Sequence, residues 1–389
     1  MKSRRFKPTR RRVTILGAAA TSVVAGVALL PNWSAGAAVV DDPTVDARTK
    51  ATFQRLADAV FTDRTDALVD GGRDARQKPL TDGFSGDVEL SSGTAGTERA
   101  TLSALGERKE RLAKAGERYA DASTTVTLNA TRVTGRTAKA AVTETTTLTY
   151  AGARGGAPRT TGFQAHHELT FKADRRGDWK LTGIRDTDQG GLAVNTLSKP
   201  ASVKAATAGD TMPSAPRAAT TRNPAAAPKT GTTYDYKAMA AYAEKYWNVY
   251  NKDYPDFNGQ GAGGDCTNFV SQALKAGGWK HVPGYVYDYT RWFGNADIQS
   301  HSFIGVNEWS WFTQNAKRTT PLANVYQLEV GDVLQVDFDR DGSKDHTMIV
   351  TYKSRGVPYL TYHSNNTLRR SVASLVASYP NAYYYAYRT

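Results

Sequence analysis

Residues 264–272 read Gly264-Asp265-Cys266-Thr267-Asn268-Phe269-Val270-Ser271-Gln272 and hold the single cysteine of a 389-residue chain. Gly259, Gly261, Gly263 and Gly264 make the approach a glycine-rich loop. Phe269, Val270, Ala273 and Leu274 then recur at helical spacing, which predicts a helix that begins near Cys266 and ends at Gly277-Gly278. A cysteine in a first helical turn faces unpaired N–H groups and the positive end of the macrodipole. That setting favours thiolate over thiol, and the same N–H groups can hold a developing oxyanion. Asp265 reads as the N-cap, which stabilises the helix while its charge opposes thiolate formation. One cysteine cannot form an internal disulfide, so Cys266 is read as a reactive thiol in preference to a buried filler or an intermolecular partner.

A thiolate nucleophile needs a base within hydrogen-bond reach. Of six histidines, His346 is the best placed, because it opens the run His346-Thr347-Met348-Ile349-Val350 just after a polar turn. Three strands are expected: Asp332 to Phe338, His346 to Lys353, and Tyr359 to His363. The last ends in His363, which adjacent strands can bring beside His346 to fix its tautomer and orientation. Ahead of the cysteine, Met239, Tyr242, Ala243, Tyr246, Trp247 and Tyr250 mark an amphipathic helix. After it come a long aromatic loop region and a short helix around Trp309 to Ala316. Some of the crowded Trp and Tyr side chains are expected to line the cleft.

The order Asp-Cys-Thr on a helix, Gly331-Asp332 before a strand, Asp345-His346 opening the next and Tyr362-His363-Ser364 closing a third resembles the papain-like NlpC/P60 and CHAP peptidases. It is closer still to the amidase-domain family of Gram-positive bacteria. The resemblance covers about residues 234–389. It implies an α+β domain with an antiparallel sheet and a helix-borne Cys, and an acyl-enzyme mechanism with Cys266 as nucleophile, His346 as base and His363 as its orienter. Asp265 and Thr267 would support the cleft or oxyanion, and Asn365 and Asn366 are rivals for the third place. The implied substrate is an amide or peptide bond, with peptidoglycan the expected partner; no cofactor is expected. The alternatives are a non-catalytic wall-binding module, or an acyltransferase that uses the same acyl-enzyme.

Upstream, residues 44–195 read as a separate α+β domain. Phe53, Leu56, Ala57 and Val60 lie at helical spacing, and Thr-rich alternating runs after Ser123 read as antiparallel strands. Helices followed by a meander resemble cystatin or NTF2-like folds by element order. Residues 196–233, rich in Ala, Pro and Thr, read as a flexible linker. Residues 1–37 read as an export signal. A basic stretch ends at Arg10-Arg11-Arg12, a weakly apolar run follows, and Ala35-Gly36-Ala37 offers a cleavage pattern. The triple arginine resembles a twin-arginine signal, with an ordinary secretory signal as the other reading. A secreted or wall-associated protein with no stable membrane span is expected. Without the seven basic residues of that segment the net charge falls from +13 to +6. No recognition motif accompanies the remainder, which excludes nucleic acid as the partner. Asp337, Asp339 and Asp341 match the start of a calcium loop, but Met348 stands where that loop needs a bidentate Glu, so a polar hairpin turn is the preferred reading. His166-His167-Glu168 alternate faces in a strand and are read as structural.

Overall fold

The computed structural model describes residues 39–71, 88–153, 156–188, 192–197, 212–213, 215–227, 234–258 and 264–389. The segment expected to be an export signal, and Gly259, Gly261 and Gly263 of the glycine loop, lie outside the described residues. The architecture is α+β, with helices packed on one large, mainly antiparallel sheet.

In the N-terminal half, helix α1 (Ala47–Asp66) starts where the Asp46 carboxylate accepts the Thr49 N–H, and α2 (Ser92–Lys114) where the Ser91 hydroxyl accepts that of Thr94. Strands β2 (Tyr119–Thr134), β3 (Thr137–Tyr150), β4 (Thr160–Ala173) and β5 (Trp179–Asp186) form an antiparallel meander, and β1 (Val88–Leu90) runs parallel to β5. Alternation turns Val126, Ala140, Val142, Leu169 and Phe171 inward to meet Phe53, Leu56 and Val60 of α1. Phe53 stacks on Phe171 with ring centroids 4.0 Å apart. Two groups of charged side chains in this half pair across elements. Arg64 makes two bonds to Glu98, at 2.7 and 2.9 Å. His167 sits between Asp186 and Glu144, at 2.8 and 3.2 Å. Burial alone would push the His167 pKa down, but the bonds to Asp186 and Glu144 outweigh it and raise the group to about 9.

The C-terminal half contributes α3 (Tyr236–Tyr246), α4 (Cys266–Ala276), α5 (His301–Ile304), α6 (Val306–Asn315) and α7 (Val372–Ser378). Its strands are β6 (Thr320–Leu322), β7 (Val333–Asp337), β8 (His346–Ser354), β9 (Val357–Tyr362), β10 (Thr367–Ser371) and β11 (Tyr383–Arg388), ordered β10-β9-β8-β7-β11-β6. One face of this sheet, with Val333 and Ile349, receives Met239, Phe269, Val270 and Trp309. The other, with Leu334, Val336, Met348 and Val350, receives Val372 and Leu375 of α7. Trp279, Trp292 and Trp309 are buried in the first of these layers, so the tryptophans expected along a cleft serve the core, while Tyr285 and Tyr287 are exposed.

The two halves share the sheet. Strand β4 pairs with β10 through Phe163 opposite Thr367 and Gly162 opposite Leu368. Part of the stretch expected to be a flexible linker is docked as well. Ala218 and Ala219 donate to the carbonyls of Tyr384 and Ala323, Asn324 donates to the Thr221 carbonyl, and the Arg217 guanidinium lies 3.3 Å from the Tyr383 ring centroid. Small residues and free backbone groups, which made this stretch look unable to pack, let it bind by its main chain.

Gly277 marks where α3 meets the end of α4. A Cβ there would fall 2.3 Å from Met239 Cγ and 2.8 Å from the Asp235 carbonyl oxygen. Gly277→Ala is expected to cost about 2–3 kcal/mol by overpacking, read as a lower denaturant midpoint with an unchanged slope; an unshifted midpoint would contradict this packing.

Candidate active site

Helix α4 begins at Cys266, as its sequence pattern requires. The thiol is fully buried. Its sulfur lies 3.7 Å from the Thr267 hydroxyl, which in turn bonds the Thr347 hydroxyl at 2.8 Å. The backbone N–H of Thr347, in the peptide that joins it to His346, also donates to the sulfur. Cys266 therefore abuts the start of β8, the strand that His346 opens.

The electrostatics depart from the expectation of a depressed thiol. Burial pushes the Cys266 pKa up to about 11; the bonds from Thr347 and Thr267 oppose this and the Asp265 charge reinforces it. Desolvation of a full negative charge outweighs the helix terminus here. Burial likewise drives His346 down to about 3. The resting pair is a neutral thiol and a neutral imidazole.

His346 leaves its strand on the side of Met348 and Val350, and its ring lies edge-on to Tyr362 at 5.1 Å. Thr347 and Ile349 take the opposite side, toward α4. Cys266 and His346 thus approach the strand end from different faces. Nε2 of His346 is buried without a hydrogen-bond partner.

His363 is placed differently from its expected role as orienter of His346. Its Nδ1 bonds the Asp265 carboxylate at 2.6 Å and its Nε2 the Tyr246 carbonyl at 2.8 Å. The ring is stacked on Phe269, with centroids 4.0 Å apart, and lies 4.4 Å from that of Tyr250. Both ring nitrogens are thus engaged, one by a carboxylate and the other by a backbone carbonyl. Asp265 in turn is not a side-chain N-cap. Its carboxylate accepts from His363, from Asn268 Nδ2 at 2.7 Å and from the Phe257 N–H at 3.2 Å. The pair locks the start of α4 to the end of β9.

Asn365 and Asn366 hold the halves together instead of His346. Asn365 accepts the Leu192 N–H and donates to Asp188 at 2.7 Å, while the Asn366 carbonyl accepts the Gln164 N–H at 2.8 Å and its side chain accepts from Tyr250 at 3.0 Å. Asp188 also holds His166 Nδ1 at 2.8 Å, leaving the partly exposed side of that ring open. This Asp–His pair from the N-terminal half escaped the sequence reading. Its signal, an aspartate two residues beyond a strand that pairs with β4, becomes visible only once the strand register is known. Among the described residues, the acidic group with metal-ligand spacing is Asp337, Asp339 and Asp345, whose oxygens lie within 4.8 Å of one another. Asp341, the expected third member, accepts instead from Ser343 N–H at 2.7 Å. Asp337 accepts the Arg340 and Gly342 N–H groups at 2.6 and 3.1 Å, which is the bonding of a polar turn.

Residues 233–387 match the family described as "Putative amidase domain". The match is confined to the C-terminal region, 155 of the 389 residues. The chain is 33% identical to Bacillus subtilis (strain 168) YhbB, described as an uncharacterized protein, over 126 residues that make up 32% of the chain and 39% of that relative. With YjcM of the same organism it shares 31% identity over 142 residues, 35% of the chain and 32% of the relative. The chain therefore spans 32–39% of the length of these relatives. A solved structure, the intermembrane space region of chloroplast protein ARC6, aligns over 37% of this chain and 98% of its own at 16% identity with a TM-score of 0.24.

Proposed function

We propose that the C-terminal region is a papain-like cysteine amidase of an exported protein, acting on amide bonds of cell-wall peptides. The observation that carries this reading is the seating of Cys266 Sγ against the Thr347 peptide N–H, at the first residues of the His346 strand. A nucleophile at a helix N-terminus and an imidazole with a buried, unpartnered nitrogen then share one strand end. Hydrolysis by this pair requires the His346 ring to swing round the end of β8 to the Cys266 side, where Nε2 takes the thiol proton as the sulfur attacks the carbonyl and the N–H groups around Cys266 stabilise the oxyanion. His346 next protonates the leaving amine, and water releases the acyl group. Because both groups rest neutral, the proton moves with the attack and not before it. Export rests on the basic and weakly apolar segment at 1–37, and cell-wall peptides on the resemblance to wall peptidases.

The full burial of Cys266 favours a second reading, a wall-binding module without turnover. One experiment separates the two. Purified peptidoglycan is digested with the wild type and with Cys266→Ser, and soluble products are identified by mass. New amine and carboxyl termini are expected with the wild type, and a loss on the order of 10³-fold or more with the variant. Equal product from both sinks the cysteine mechanism. Binding of peptidoglycan by the wild type without any product establishes the second reading.

A further inference from the structure

A cavity of about 320 Å³ opens between the halves, at the end of the sheet away from Cys266. Three turns build its rim: the one after α2 at Gly116, the β3–β4 connection at Gly152, and the β8–β9 turn at Arg355-Gly356. The docked segment adds Arg222 and Asn223. Gly116, Gly152, Arg355 and Gly356 all take left-handed backbone angles, so the rim is shaped by residues held in tight turns.

The walls are phenolic. Tyr150 and Tyr359 meet edge to face at 5.9 Å, and Tyr326 lies beneath the Arg222 guanidinium at 5.7 Å. Arg222 fills the space over Gly116, where a Cβ would fall 2.8 Å from its Nη1. The charges do not cancel. Arg118 is bonded to Asp70 at 2.6 Å, and its charge is taken up there. The carboxyl of Glu117 is engaged by the Tyr119 and Ser371 hydroxyls; burial raises its pKa, and the charges of Arg370 and Arg222 oppose that shift. Arg222 and Arg355 bring two guanidinium groups to the mouth against the one carboxyl of Glu117, and both act electrostatically on the Tyr359 hydroxyl.

We infer that this cavity is a binding site for a small ligand bearing one anionic group, a carboxylate or a phosphate, held by Arg222 and Arg355 with its body against Tyr150, Tyr326 and Tyr359. Its volume is at the lower end of the range of small-molecule sites and suits a body the size of a dipeptide or a single sugar. Planar guanidinium groups beside phenol rings supply both the charge and the stacking surface. Arg222 belongs to the segment docked at 215–227, so occupancy would also tighten that segment on the C-terminal half.

The site is independent of the chemistry at Cys266, and its test uses no turnover. Calorimetric titration of the full chain is made with two probes, Nα-acetyl-alanyl-alanine for the carboxylate and glucose 1-phosphate for the phosphate. Saturable one-to-one binding is expected for one of them, which identifies the source. It should weaken at least tenfold in Arg222→Gln and in Arg355→Gln, and stay unchanged in Arg132→Gln and in Arg291→Gln, which alter exposed arginines outside the cavity. Unliganded melting curves of the variants verify folding. No saturable binding by either probe, or equal affinity in all four variants, overturns the assignment.

Discussion

Asp265→Ala is expected to remove about 3–5 kcal/mol of folding stability, the largest single-site loss in the C-terminal half. The reason lies in the partner left behind. His363 is enclosed by Phe269 and Tyr250, with one ring nitrogen on Asp265 and the other on the Tyr246 carbonyl. Once the carboxylate is gone, the buried Nδ1 of His363 loses its partner, and Asn268 and the Phe257 N–H lose an acceptor as well. Urea unfolding of the wild type, Asp265→Ala, His363→Phe and the double variant measures the coupling directly. A coupling of about 2 kcal/mol or more is expected. A loss under about 1 kcal/mol for Asp265→Ala would mean that this pair does not anchor α4 to β9. Because Cys266 is the next residue, the same variant should also alter the alkylation rate of the thiol.

Acid should destabilise the fold through His346. Its folded pKa is lowered to about 3 by burial, against 6.5 in the unfolded chain. Above pH 6.5 neither state holds the proton, and the neutral ring contributes its full stability. As the pH falls through the window from 6.5 to 3, the unfolded chain binds a proton that the folded chain refuses, and stability drops. The loss reaches about 2 kcal/mol at pH 5 and grows by about 1.4 kcal/mol for each further unit until the folded group titrates. His346→Leu, whose side chain suits the apolar company of Met348 and Tyr362, should flatten this part of the profile. Chemical denaturation of both proteins at pH 7, 6 and 5 reads the difference. Parallel profiles would show that the His346 ring is hydrated in the folded state. If His346 is also the base, the same variant abolishes hydrolysis at every pH.

Local pattern was enough to read the helix at Cys266 and the strands β7, β8 and β9 within a residue or two of their ends, because alternation and glycine punctuation are local signals. Strands β10 and β11 were not read. Thr367-Leu368-Arg369-Arg370-Ser371 looks solvent-exposed, yet Arg370 is buried with bonds to the Leu192 carbonyl and the Ser374 and Ser378 side chains. Those partners come from the other half of the chain or from the following helix. The same limit explains Asn365, whose partners Leu192 and Asp188 lie more than 170 residues away. The face taken by His346 was legible, since two-residue alternation groups it with Met348 and Val350. Its inference as partner of Cys266 rested on the order of motifs and not on that parity. The thiol pKa could not be read, because the decisive quantity is burial and burial depends on the whole fold.

The pairing of β4 with β10 has a consequence for how this protein can be cut. A protease acting between residues 198 and 211 would sever the chain without parting the pieces, because Phe163 and Thr367 would still be neighbours in a common ladder. Expressing residues 234–389 alone would instead strip the flank of β10, uncover Thr367 and the buried guanidinium of Arg370, and offer a bare strand margin to any other chain in solution.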